Sequence, residues 1–486
     1  MTEKTFDAGD FTLKQVREYV WELPQEDDMR VPGRVLASET LLEEITDDKS
    51  LQQLRDTTHL PGIQKYAIAM PDAHQGYGFP VGGVAGLDAE NGCISPGAVG
   101  YDINCGVRML KTNLKYDEIK GHEAELVNSL FANVPTGLGG GAVVDNAPVE
   151  EILERGVQWA VEEGYGVESD LAHCEDEGFR PEADPAKVSQ KAKDRGRNQA
   201  GSLGSGNHFL EVQRVTDIYH DDVAREFGLS DDQIVVLIHC GSRGFGHQVC
   251  TDYLREIEQT HQGLLDELPS KELAAAPAGS QLAEDYYGAM CAAINFAWTN
   301  RQLITHQTRQ VFERVFDRPW EEMEMELLYD VSHNIAKREV HDVDGEDKEL
   351  FVHRKGATRA FPAGRQELPP AYRDVGQPVI IPGSMGAGSY VLRGGENSLS
   401  ETFGSTAHGA GRLMSRTQAK NEYWGEDVMD DLREDNEIYV KAESGATVAE
   451  EAPGVYKDVD EVVAVSDALG IGDTVARTYP VCNIKG

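Results

Sequence analysis

The chain has 486 residues, 40% hydrophobic and 27% charged, with 84 acidic against 45 basic side chains and a formal net charge of −39. That hydrophobic content supports a sizeable core and speaks against an acidic disordered chain, while no run reaches the roughly 20 apolar residues of a membrane helix. Charge of this size repels itself strongly at low salt and points to a halophilic protein, screened at molar salt within ~3 Å.

The first residues, MTEKTFDAGDFTLKQ, offer neither a basic nor an apolar leader region, so a cytoplasmic location is expected. Helical spacing through 11–23 and again through 41–54 predicts an N-terminal helical element over residues 1–60. From Ile63 to Leu110 short β-like runs alternate with Gly and Pro, as in tightly turned strands. Helical patterns follow at 117–132 and 149–163, then an acidic irregular stretch near 164–184. Lys187–Arg197 carries five basic residues and one acidic residue, Arg195 and Arg197 among them, and opens into a Gly/Ser turn before Asn207.

A buried strand is expected at 234–239 and a long helix at 280–317. Strand-like runs and Gly-rich loops alternate from 326 to 413, and the last 70 residues are acidic again. No 20–50-residue repeat and no low-complexity linker divides the chain. The chemistry-bearing motifs run from Asp72 to Lys485, so the expectation is one interwoven α+β domain over 1–486, with mixed β-sheets, surrounding helices and a central metal and nucleotide cleft.

Between His353 and Arg416 eight basic residues (Arg354, Lys355, Arg359, Arg365, Arg373, Arg393, Arg412, Arg416) stand against four acidic ones, a net of +4. Two readings fit: a phosphate-facing surface, or a set of structural Arg–carboxylate pairs. The seven cysteines are an odd number without a disulfide framework. Among them Cys105 stands out, three residues after Asp102 in Gly-Tyr-Asp-Ile-Asn-Cys-Gly. On an irregular turn a carboxylate and a thiolate at that spacing can face one divalent ion, and a thiolate sulfur can bridge two.

His208, His239 and His333 each stand where a β-like run meets a small-residue turn. Alone, each is compatible with a hydrogen-bonded structural histidine; together with Asp102 and Cys105 they point to metal. The loops PGSMGAGS (382–389) and GSTAHGAGR (404–412) can turn backbone amides toward phosphate, yet neither ends as a Walker A loop does. Ordinary turns would look the same. His408, in the second loop, is a candidate nucleophile, because neutral imidazole attacking an α-phosphate gives a phosphoramidate.

Taken together, MPDAHQGYGFPVGG (70–83), GAVGYDINCGVR (97–108), GSLGSGNHFLEVQ (201–213), HCGSRGFGHQ (239–248), DVSHNIAK (330–337), HRKGATRAFP (353–362), PGSMGAGSYV (382–391), STAHGAGR (405–412) and the terminal IKG (484–486) resemble the RtcB family of RNA-splicing ligases. The resemblance runs over about residues 60–486 in family order. It implies an RtcB-like fold and a GTP- and Mn²⁺-dependent enzyme joining RNA 2′,3′-cyclic phosphate or 3′-phosphate ends to 5′-hydroxyl ends, in tRNA splicing or RNA repair.

It further implies that Cys105 bridges two manganese ions, with Asp102 and His208 completing one site and His239 and His333 the other. His408 would carry GMP. The guanylate pocket would draw on Asn207, Phe209, Leu210, Glu211, Asn334, Pro382, Gly383, Ser384, Met385, Ser389, Gly409, Ala410, Gly411, Tyr456 and Lys485. Asp72, Lys355 and Arg412 are candidates for general-base or phosphate roles, and Arg195, Arg197 and Arg243 for RNA contacts; support of neighbouring side chains is the alternative for each. An archease-type activator is an implied partner. Two departures stand out: Cys240 where Ser or Thr is usual, and Thr406-Ala407 before His408 where Ser-Cys-type pairs are frequent. A metal-dependent phosphoesterase that does not join ends, and a non-catalytic RNA- or nucleotide-binding protein, are the competing readings.

Overall fold

Residues 63–88 fold back on themselves at Gly78, whose φ of 67° lies in the left-handed region that glycine adopts without strain. In the computed structural model, which describes residues 4–26, 28–137 and 141–486, this gives two long antiparallel strands, Ile63–Tyr77 and Phe79–Asp88. The short runs expected here are therefore one bulged hairpin: its register shifts on both sides of His74, which leaves the small residues inside the strands. Around it the first eight-stranded sheet runs in the order Thr5–Asp7, Thr12–Arg17, Val20–Leu23, Gly33–Leu36, Ile63–Tyr77, Phe79–Asp88, Glu346–Lys355, Asn334–Val343.

The N-terminal element corrects the expectation over its first half. Residues 12–17 and 20–23 form a β-hairpin, and only the second half is helical, as Glu39–Thr46 and Ser50–Thr57. The turn is made by Glu18 and Tyr19, with Tyr19 at φ 60°, and lacks the Gly or Asn that marks such a turn in sequence. Within the 1–60 element, residues 1–3 and 27 lie outside the described residues, as do 138–140 farther along.

The second sheet runs in the order Glu326–Ser332, Gly106–Lys115, Gln233–Cys240, Phe209–Ile218, Gly472–Lys485, Ser389–Gly394, Pro378–Ile381, with Tyr439–Ala442 parallel to Gly472–Lys485. Gln233–Cys240 is buried at every residue, as the apolar run 234–238 requires of a central strand. Because this strand lies between Gly106–Lys115 and Phe209–Ile218, His239 emerges beside both Cys105 and His208.

Gln281–Phe316 is a single helix of 36 residues, about 54 Å at 1.5 Å per residue. Ser280 caps its start by accepting from the amide of Ala283, and Asp317 ends it in the left-handed region. Fully buried Arg301 on this helix pairs with Asp330 at 2.8 Å and donates to the carbonyls of Asn104 at 2.8 Å and Cys240 at 2.6 Å. One guanidinium thus ties together the loops that carry Cys105 and His239. Removing it would leave Asp330 and two carbonyls buried without that partner, which is costly. Among the described residues no helix is long and apolar enough to cross a membrane.

Candidate active site and metal centre

A cleft of about 270 Å³ opens between the two sheets, at the lower end of small-ligand sites. Asp102, Cys105, His239 and His333 line it together with His408, Lys355 and the 382–385 turn. Two groups of donor atoms converge there, Asp102, Cys105 and His208 in one and Cys105, His239 and His333 in the other, each group within 4.8 Å. Cys105 belongs to both. Its Sγ lies 3.2 Å from His239 Nε2 and 3.5 Å from His208 Nε2; His208 Nε2 lies 2.8 Å from Asp102 Oδ2, and His239 Nε2 3.3 Å from His333 Nε2.

This donor set fits divalent metal. His208 Nδ1 sits 3.0 Å from the carbonyl of Leu203, which holds the proton there and turns the Nε2 lone pair inward. Two imidazole nitrogens facing each other at 3.3 Å, beside a buried thiol, are what ligands present to a shared cation. In the protein alone burial, then the neighbouring Asp102 charge, push the Cys105 thiol up to about 12, and burial holds His239 and His333 well below the usual imidazole range. A divalent ion inverts this logic for the thiol by stabilising the thiolate. Gly241 is fixed by proximity: a Cβ there would lie 2.3 Å from an Asp102 oxygen.

His408 stands next to this centre, its ring centroid 4.9 Å from that of His333. Asp72 is buried behind it and accepts from His408 Nδ1 at 2.6 Å, from its amide at 2.9 Å and from the amide of Gly409 at 3.2 Å. Burial opposes charge on Asp72, but His408 outweighs it and holds the carboxyl below its usual range. An ionised carboxylate only accepts, so Nδ1 of the imidazole carries a proton toward Asp72, and Nε2 is the ring nitrogen that this contact leaves for other partners. Gly411, at φ 79°, lets the loop close on Asp72; a Cβ there would meet the Asp72 carbonyl at 2.2 Å.

At the other end of the cleft, buried Glu211 takes hydrogen bonds from Gln213 at 2.5 Å and from Asn483. Burial raises its carboxyl to about 7, against the pull of Lys485. Lys485 lies over the Phe209 ring at 5.1 Å and is held below the usual lysine range by burial. Tyr456 and Asn207 also line the cleft, as do Gly409, Ala410 and Gly411, while Asn334 donates to the carbonyl of Asp102 at 3.1 Å.

Two predicted pocket residues lie behind the wall. Leu210 is packed in the core, and Ser389 accepts from Gln213 at 3.0 Å and from the amide of Gly383 at 3.3 Å, bracing the 382–385 turn. Lys355 donates to the carbonyls of Tyr77 at 2.7 Å and Gly97 at 3.0 Å, and burial lowers it to about 8. Arg412 is engaged by Glu451 at 3.1 Å and the carbonyl of Glu450 at 2.7 Å.

Of the two readings of the basic region, ion pairs prevail for six of its eight cations. Arg354 pairs with Glu339, Arg359 with Asp176, Arg365 with Glu367, Arg393 with Asp473, and Arg412 and Arg416 with Glu451. The carboxylates come mostly from distant segments, so local charge counting could not see them. Arg195, Arg197 and Arg243 do not form one open surface. Arg195 is exposed, Arg197 pairs with Asp194 at 3.1 Å, and Arg243 is buried, donating to Ser202 Oγ at 3.2 Å and to the carbonyl of Gly137 at 3.1 Å. Cys240 makes the contacts a hydroxyl would make: its Sγ lies 3.0 Å from the Leu203 carbonyl and accepts from Asn300 at 3.1 Å.

Asn104, Arg301, Gln213, Asn483 and Glu451, which brace these groups, are not singled out by the sequence: Arg301, Gln213 and Asn483 lie inside a helix or strand, and Asn104 and Glu451 sit in turns whose partners come from distant segments.

A family model described as tRNA-splicing ligase RtcB matches residues 53–486. A curated protein of that name from Thermococcus kodakarensis is 54% identical over 477 residues, covering 98% of this chain and 99% of the relative. Proteins of the same name from Archaeoglobus fulgidus and Methanococcus maripaludis are 50% and 49% identical, each again covering 98% of this chain and 99% of the relative. With the converging donors, the Asp72-held histidine and a match over nearly its whole length, this chain belongs to the RtcB family.

Proposed function

We propose that this chain is an RNA ligase that uses GTP and two Mn²⁺ ions to join a 3′-phosphate or 2′,3′-cyclic phosphate end to a 5′-hydroxyl end. Its substrates are tRNA halves or other broken RNA, and an archease-type protein is its activator. The observation that carries the reading is the Asp72–His408 pair beside the donor groups: hydrolysis at a metal centre needs no histidine with its Nδ1 fixed and its Nε2 free. The names of the relatives support RNA splicing as the setting.

His408 Nε2 attacks the α-phosphorus of GTP, and pyrophosphate leaves. The resulting phosphoramidate puts positive charge on the ring, which the Asp72 carboxylate offsets. An oxygen of the RNA 3′-phosphate then attacks the same phosphorus and releases His408, giving RNA(3′)pp(5′)G. The 5′-hydroxyl attacks the RNA 3′-phosphorus, forming the phosphodiester and freeing GMP. A cyclic phosphate is first opened by water. Asp102, Cys105, His208, His239 and His333 would hold the divalent cations, whose charge would offset that of the phosphates. Glu211 accepts from the N1–H and exocyclic amine of guanine, a pattern adenine does not offer.

Two outcomes are expected. Asp72→Asn keeps the shape but loses the charge, and slows nucleotide-adduct formation ~100-fold in rapid-quench measurements; a near wild-type rate would remove Asp72 from the step. Glu211→Gln lowers GTP-over-ATP preference ~100-fold by competition binding, and wild-type GTP affinity weakens as pH falls through about 7, where Glu211 takes up a proton. Unchanged selectivity would exclude it from base recognition. The activity itself is read from an RNA pair with 2′,3′-cyclic phosphate and 5′-hydroxyl ends, at molar KCl to match the acidic surface. Joined product supports the ligase; opened cyclic phosphate without joining supports a phosphoesterase.

A further inference from the structure

Three aromatic rings form a row at the lip of the cleft, outside the roles assigned above. Tyr77 ends the Ile63–Tyr77 strand, Tyr101 directly precedes Asp102, and His247 lies early in the Arg243–Thr260 helix. The Tyr77 and Tyr101 centroids are 5.6 Å apart at 58°, and Tyr101 and His247 stack at 4.7 Å and 25°. His247 is exposed, the tyrosines are half-buried, and Tyr101 lines the cleft. The row is anchored, since the Tyr77 carbonyl receives the Lys355 ammonium.

Its chemistry favours bases over phosphates. A phenol is neutral near physiological pH, so the row offers uncharged ring faces. The Glu272 carboxylate, which accepts from the amide of Gly78 beside Tyr77 at 2.7 Å, adds negative charge here and disfavours a phosphate. Unpaired nucleic-acid bases stack on such faces with little regard to sequence.

We propose that Tyr77, Tyr101 and His247 form a stacking shelf for the terminal unpaired bases of the RNA strand that brings the 5′-hydroxyl. This rests on the ligase reading. Glu211 and Lys485 belong to strands of the second sheet, so GMP departs toward that wall; in-line displacement then brings the 5′-hydroxyl from the other side. The shelf begins on the first sheet.

The test measures binding without turnover. The full chain with Mn²⁺ and no GTP is titrated into a 3′-labelled RNA oligonucleotide with a 5′-hydroxyl, and into the same strand with its first two bases removed, by fluorescence anisotropy. Wild type is expected to bind the intact strand about 10-fold more tightly, the scale of one stacked base. His247→Ala loses most of that difference, and His247→Phe restores it. Equal losses for intact and abasic strands in His247→Ala, or failure of phenylalanine to restore, would overturn the shelf. A base effect confined to a 3′-phosphate strand would overturn the strand assignment. If neither strand bound, the ligase reading itself would fall, an outcome distinct from equal binding of both.

Discussion

Replacing His408 by alanine is expected to reduce RNA joining by ~10⁴-fold or more, because the proposed mechanism makes it the nucleophile and offers no neighbour to take its place. His74, whose ring centroid lies 6.5 Å away, has its Nδ1 on the carbonyl of Asp72 and not on the carboxylate. The variant should keep its fold, since His408 sits on a loop at the cleft and Asp72, losing the imidazole, keeps the backbone amides of residues 408 and 409. It should also keep its metal, because His408 belongs to neither donor group. Retained metal with lost joining separates a missing nucleophile from a collapsed site. Joining within tenfold of wild type would remove His408 from the chemistry.

The second large effect concerns Cys105. Its sulfur is common to both donor groups, so Cys105→Ala is expected to lower bound metal from the two ions per chain that the proposed function requires to fewer than ~0.5, read by elemental analysis after equilibration with Mn²⁺. His333→Ala removes a donor from only one group and should leave about one ion. The comparison isolates bridging from general damage. Metal near two per chain in Cys105→Ala would show that the sulfur serves neither ion.

Much of this site was legible because its donors sit at ends of strands and in glycine-rich turns, where sequence exposes chemistry. Asp102, Cys105, His208, His239 and His333 come together although they span residues 102–333. Sequence placed the central strand at 234–239 and the long helix at 280–317, both close to the observed Gln233–Cys240 and Gln281–Phe316, because continuous apolar runs and caps mark them. The N-terminal hairpin was missed because a two-residue turn at Glu18 and Tyr19 leaves apolar residues at spacings that mimic a helix. The basic region misled for another reason: Glu339, Asp176, Asp473 and Glu451, which neutralise it, arrive from elsewhere in the chain. Leu210 and Ser389 were placed in the pocket by their motifs, yet alternation along the strand and the fold of the turn put them behind its wall.

The most direct test of the account is covalent. The chain and its His408→Ala variant are incubated with GTP labelled at the α-phosphate and Mn²⁺ at molar KCl, denatured, digested and read by mass spectrometry. The account predicts one acid-labile GMP on the wild-type peptide that contains His408, and none on the variant. An adduct that survives His408→Ala, or joined RNA from a wild-type protein that never carries GMP, would contradict it.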